Sequence, residues 1–114
     1  MEIRHKIWLE KFGERVYRSG LNELFGMIGR GQSLQAAAKK LKISYRTVWG
    51  EIRTSEKRLG IDLVDIDPHK RKMRLTNEAI MLLKMFNDME TEILPILKKT
   101  EKKFSFLKKK GRCK

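Results

Sequence analysis

Two short helix-patterned segments parted by a stop at Ile43-Ser44, a basic two-strand segment after them and a long closing helix predict the fold class. It is mainly α with small β: a winged helix-turn-helix with an N-terminal β-hairpin and a long C-terminal dimerisation helix. The chain of 114 residues suffices for one small core and leaves no room for two. Residues 1–76 are expected to form the winged unit with its hairpin, 77–100 the dimerisation helix, and 101–114 a basic tail.

Each element has a local reason. Ile7-Trp8-Leu9 and Val16-Tyr17 flank the polar "KFGE", where Gly13 is free to take φ > 0, which reads as a hairpin. Ser19-Gly20 breaks the chain, and Leu21, Leu24, Phe25 and Ile28 then recur at helical spacing until Gly29 and Gly31. Ser33 caps a short helix that ends near Leu41 and turns Ala37, Ala38 and Leu41 inward. Ser44 caps the next, with Val48, Ile52, Ser55 and Leu59 on one face and Gly60 closing it. "IDLVDI" and "KMRLT" read as two strands around "DPHKRK", where Asp67-Pro68 starts the turn. Thr76 opens the last helix, whose Ala79, Leu82, Phe86, Met89, Ile93 and Ile96 step by threes and fours. Pro95 predicts a kink or a restart there.

Charge points to the partner. Lys and Arg number 27 against 14 Asp and Glu, a formal balance of +13 with a pI near 10.1. Such an excess favours a polyanion, with nucleic acid ahead of an anionic membrane surface. Cys113 stands alone, so neither an intramolecular disulfide nor a thiolate cluster is expected. No run has signal-peptide or membrane-span character, and a cytoplasmic location is the expectation. His5 and His69 are isolated, and no HExxH or Cys pair occurs, so no metal, cofactor or catalytic set is expected. "GMIGRGQS" has no preceding strand and no Walker lysine-serine pair to cradle a phosphate.

Two small helices joined by a tight turn suit DNA, where the second lies in the major groove. Ala37 and Ala38 let the pair approach closely, and Arg46, Gly50, Arg53 and Lys57 form a stripe facing away from the core. Arg46 has the fork for guanine O6 and N7, while Tyr45 or Thr47 meets a thymine methyl or a phosphate. Gly50 permits close approach to a sugar-phosphate chain; Lys57 reads as a solvated charge, and Trp49 as a half-buried aromatic. Lys70, Arg71, Lys72 and Arg74 make the wing basic, fit for phosphates or the minor groove. Phe86, Met89, Ile93 and Ile96 continue the apolar seam past the winged unit and are expected to be covered by a second copy.

"AAKKLKISYRTVWGEI", with "LGIDLV" and "RLT" at fixed distances, resembles the DNA-binding domain of LysR-type and ModE-type regulators. The aromatic after the capping serine in "ISYRTVW", the later tryptophan and the preceding hairpin favour the ModE side. The resemblance implies a homodimeric regulator of transcription on double-stranded DNA, with Ser44 to Arg53 in the reading helix and Lys70 to Arg74 in the wing. It also implies a phosphate contact at Ser33. The wing departs from the family in lacking glycine, and the chain stops after the long helix where ModE regulators carry molybdate-binding domains. Molybdate sensing is therefore not carried over, and a separate effector-sensing protein is the expected source of any signal. Two rival readings use the same fold: a nucleoid-type architectural protein relying on the tail lysines 108–110, and a module docking an acidic protein partner.

Overall fold

The computed structural model describes residues 1–108; the end of the basic tail, with Lys109, Lys110 and Cys113, lies outside the described residues. The order is β1 (Trp8–Lys11), β2 (Glu14–Arg18), α1 (Ser19–Gly29), α2 (Leu34–Lys40), α3 (Tyr45–Leu59), β3 (Val64–Ile66), β4 (Met73–Leu75) and α4 (Asn77–Lys103), then a 3-10 turn at Ser105–Lys108. Strands pair only as two antiparallel hairpins, β1 with β2 and β3 with β4. This is the winged helix-turn-helix that the sequence predicts, with two boundaries moved: α4 runs on to Lys103, past the expected end at 100. Ser19-Gly20 does not break the chain but forms the first turn of α1.

The N-terminal hairpin turns through Phe12 and Gly13, both at positive φ (53° and 78°). Two such residues in succession match the twist of the flanking strands. The register slips between Leu9 and Glu10, so Tyr17 faces Leu9 while Arg15 faces Glu10. The slip leaves Val16 as an extra residue, and the consecutive side chains Val16 and Tyr17 are both buried, which strict alternation forbids. Tyr17 meets Phe25 of α1 at 5.9 Å and Phe86 of α4 edge-on at 5.2 Å between ring centres. Its hydroxyl donates to Asn22 Oδ1 (2.6 Å), and Asn22 Nδ2 donates to Asn87 Oδ1 (2.7 Å). Burial, with the Glu90 carboxylate adding to it, pushes the Tyr17 hydroxyl above its usual range. The hairpin is part of the core.

The two small helices form for the reasons read from their caps. Ser33 Oγ accepts the Ala36 N–H and Ser44 Oγ the Thr47 N–H, both at 3.1 Å. Ala37 and Ala38 are buried against α3, where Val48 and Ile52 are also fully enclosed. Gly60 ends α3 in the left-handed conformation (φ 74°), which a side chain resists.

Glu56, on the same helix, joins it to the wing. Its carboxylate is buried, accepts the backbone N–H of Leu63 (2.8 Å) and Val64 (3.3 Å), and pairs with Arg53 at 2.7 Å. The Thr76 hydroxyl donates to the Asp62 carbonyl (2.8 Å) and the Thr76 N–H to the Leu63 carbonyl (3.0 Å), so the start of the strand entering the wing is held from both α3 and the segment that opens the last helix.

The last helix runs unbroken over 27 residues, about 40 Å, with Pro95 inside it, so the expected restart does not occur. Proline removes the N–H that would reach Thr91, and both residues are exposed, leaving that carbonyl open to solvent. Phe86 corrects the expected seam. It is 2 % exposed and packed in this chain's own core against Tyr17, so it has no surface for a partner. The most exposed apolar side chains of α4 are instead Met81 (62 %), Met85 (65 %) and Ile96 (64 %), with Ile80 and Leu94 also exposed and Met89 and Ile93 half-buried. The N-terminal segment also reaches this helix, through the Ile3 N–H on Glu101 Oε2 (2.8 Å).

Two stability outcomes follow from these local geometries. Phe12 is 95 % exposed at φ 53°, so Phe12→Asn keeps the turn, relieves about 1 kcal/mol of left-handed strain and raises Tm by a few degrees in calorimetry. Glu56→Ala strands two backbone N–H groups and costs roughly 2–4 kcal/mol in denaturant melts.

Candidate nucleic-acid interface

The outward face of α3 carries Tyr45, Arg46, Thr47, Gly50, Arg53 and Lys57, all exposed. Arg46 has no carboxylate partner among the described residues. Ser44 and Thr47 divide roles that the sequence leaves together. The Ser44 hydroxyl donates to Thr47 Oγ1 (2.7 Å) while accepting the Thr47 N–H, so it is occupied as a cap. The Thr47 hydroxyl hydrogen remains to donate outward. Ser33 lies at the start of α2, exposed, with its oxygen accepting the capping bond. A Cβ built on Gly50 meets nothing within 4 Å, so no intramolecular packing demands glycine there.

On the wing side of this face, Tyr45, Trp49 and Arg53 follow each other at one-turn spacing. Tyr45 and Trp49 stand edge to face at 6.3 Å, and the Arg53 guanidinium lies 4.7 Å over the Trp49 ring. Arg53 is thereby held from two sides, by the indole face and by Glu56. Sequence reading placed Arg53 on the stripe and missed Glu56. A glutamate at the edge of an apolar face looks like any solvated charge, and the two strand N–H groups that bury it come from a later segment.

The wing tip is built on Asp67. Its Oδ1 accepts the His69 (2.9 Å) and Lys70 (3.2 Å) N–H groups, and those two bonds hold the carboxyl below its ordinary value of 3.8, with the Arg74 and Lys70 charges assisting. The turn's contribution is thus present above that range and is lost only as pH falls through the lowered value. Arg71 takes φ 52°, the left-handed position that glycine occupies more easily. Lys70, Arg71 and Lys72 are exposed and without carboxylate partners among the described residues.

Arg74 differs from them in having carboxylate partners. Its Nε donates to Asp65 Oδ1 across the strand pair (2.8 Å), and Nη1 lies 3.6 Å from Asp67 Oδ2, so its charge is balanced within the wing. The Asp65 bond raises its guanidinium pKa further. Of the expected basic set, three side chains have no carboxylate partner among the described residues and Arg74 is paired within the wing.

The surface thus joins an uncovered helix face with free cations to a basic turn, tied together by Glu56. A family model described as "Bacterial regulatory helix-turn-helix protein, lysR family" matches residues 21–80. Among solved structures the chain is similar to ArgP from Mycobacterium tuberculosis, with a TM-score of 0.52 and 24% identity, a likeness of fold. That match covers 70% of this chain and 30% of the ArgP chain, so the chain corresponds to under a third of that protein's length. No curated protein sequence matches it. The helix-turn-helix of α2 and α3 lies wholly within the matched span, and the chain belongs to the LysR family of bacterial regulatory helix-turn-helix proteins.

Proposed function

We propose that the chain is a sequence-specific regulator of transcription that binds double-stranded DNA as a homodimer. The observation that carries this reading is the outward face of α3, where Arg46, Thr47 and Gly50 are exposed beside an Arg53 already held in place. A guanidinium that is free of carboxylates keeps its bidentate fork for a guanine edge, which suits Arg46. Arg53, tethered to Glu56, suits a phosphate or a base at one fixed position. Lys70, Arg71 and Lys72 reach the backbone or minor groove beside it, and Ser33 at the start of α2 adds a phosphate contact. The finer likeness to ModE-type regulators rests on "ISYRTVW" and on the hairpin that precedes α1.

The dimer is formed through α4. Met81, Met85, Met89 and Ile96 lie on one flank of the helix at near whole-turn steps, and three of them are more than half exposed. Fully burying such side chains is worth roughly 1.5–3 kcal/mol each, which a second copy supplies by two-fold pairing. Two reading helices then address half-sites one helical turn, or a multiple of it, apart.

Three outcomes check this function. Arg46→Ala costs roughly 1–3 kcal/mol on a selected site and relaxes preference at one base position per half-site. Lys72→Ala weakens all duplexes alike and lowers the salt slope by about 0.9. Equal losses on selected and random DNA for both variants would remove Arg46 as a base reader. Met85→Glu with Ile96→Glu yields a folded monomer in sedimentation; a wild-type protein that is monomeric at tens of micromolar would refute the dimer.

A further inference from the structure

The hairpin lies outside the span matched by the family model, yet it is fastened to the reading helix along its length. Arg18 of β2 pairs with Glu51 of α3, and Arg58 of α3 donates to the Arg15 carbonyl (2.7 Å) and lies 3.4 Å from Glu14. Between β2 and α3 these ties leave an open groove of about 330 Å³, on the side of α3 away from the wing. Thr47, Gly50 and Thr54 line its helix side, so it borders the stripe that carries Arg46.

Three arginines line it, Arg15 and Arg18 from β2 and Arg58 from α3, and they are not equivalent. Arg18 and Arg58 have carboxylate partners, whereas Arg15 has none among the described residues. Its guanidinium lies 4.5 Å over the ring of Trp8, an indole fixed in turn by its own N–H on Glu10 Oε2 (2.6 Å). Stacking holds the guanidinium plane while its N–H edge stays open, the arrangement that suits a phosphate oxygen pair. The threonine hydroxyls are neutral donors suited to the same oxygens. The absent side chain at Gly50 keeps the groove floor clear.

We propose that this groove is a second phosphate-binding edge: Arg15 and the hydroxyls of Thr47 and Thr54 grip the sugar-phosphate strand opposite the wing. The proposal rests on the DNA-binding reading and deepens it. The reading helix is then flanked by backbone contacts on both sides, with the wing on one and the hairpin on the other. Trp8 acts as a positioning residue for Arg15.

The test is anisotropy of the whole chain on a random-sequence duplex, titrated with salt. Arg15→Gln lowers the salt slope by about 0.9, which appears as an about threefold smaller loss of affinity between about 50 and 200 mM salt. Arg15→Lys restores the slope. Thr54→Val, nearly isosteric, weakens binding severalfold at low salt and leaves the slope unchanged. Wild-type slope in Arg15→Gln together with wild-type affinity in Thr54→Val overturns the groove, provided Lys72→Ala still lowers the slope. A wild-type chain with no salt-dependent duplex binding overturns the DNA-binding reading itself.

Discussion

The arrangement of the exposed face of α3 and the wing depends on one buried carboxylate. Glu56 occupies the last full turn of α3, yet what it binds belongs to the next element: the N–H groups of Leu63 and Val64. A short two-stranded hairpin is marginal alone in water, and three residues per strand is shorter than most. The carboxylate therefore supplies what the strand pairing lacks, and it does so from the helix whose outer face is presented to a partner. Arg53, itself exposed, balances its charge, so removing the arginine leaves the buried carboxylate without its counterpart. Helix, wing and the Trp49 stack are in this sense one unit, and the angle of the wing follows from the position of α3.

A second polar chain fixes the opposite side of the molecule. Tyr17, Asn22 and Asn87 connect the N-terminal hairpin, α1 and α4 by two hydrogen bonds, the first buried in the apolar core and the second at its edge, where Asn87 is exposed. Apolar packing tolerates sliding, whereas a hydrogen bond left unmade in the interior costs on the order of 1–3 kcal/mol. The hairpin's register and the orientation of the first turns of α4 are thereby coupled. Met81 and Met85 face away from this core because Ala79 and Phe86 face into it, while Met89 packs partly against it.

Local chemistry made most of the fold legible. The three serine and threonine caps, the closing Gly60 and the hairpin turn at Gly13 stand where the sequence places them, since each depends on a few neighbouring residues. What could not be read depends on distant partners. Phe86 fits a dimer seam by spacing alone; only the arrival of Tyr17, far earlier in the chain, shows that it is already covered. Arg74 looks like its neighbours in a basic run until strand pairing sets Asp65 opposite it. Val16 and Tyr17 both point inward because of a register slip with no sequence signature. The same limit concealed Arg15 and its stack on Trp8, a contact between the two strands of one hairpin.

The chain has two tryptophans, and each lies beneath an arginine: Trp8 under Arg15 and Trp49 under Arg53. One pair stands on the hairpin side of α3 and the other on the wing side. Indole emission responds to a cation resting on the ring and to the water admitted when that cation lifts away. The protein thus has an unlabelled optical signal at each edge of α3, and two single tryptophan-to-phenylalanine exchanges would separate the two sources.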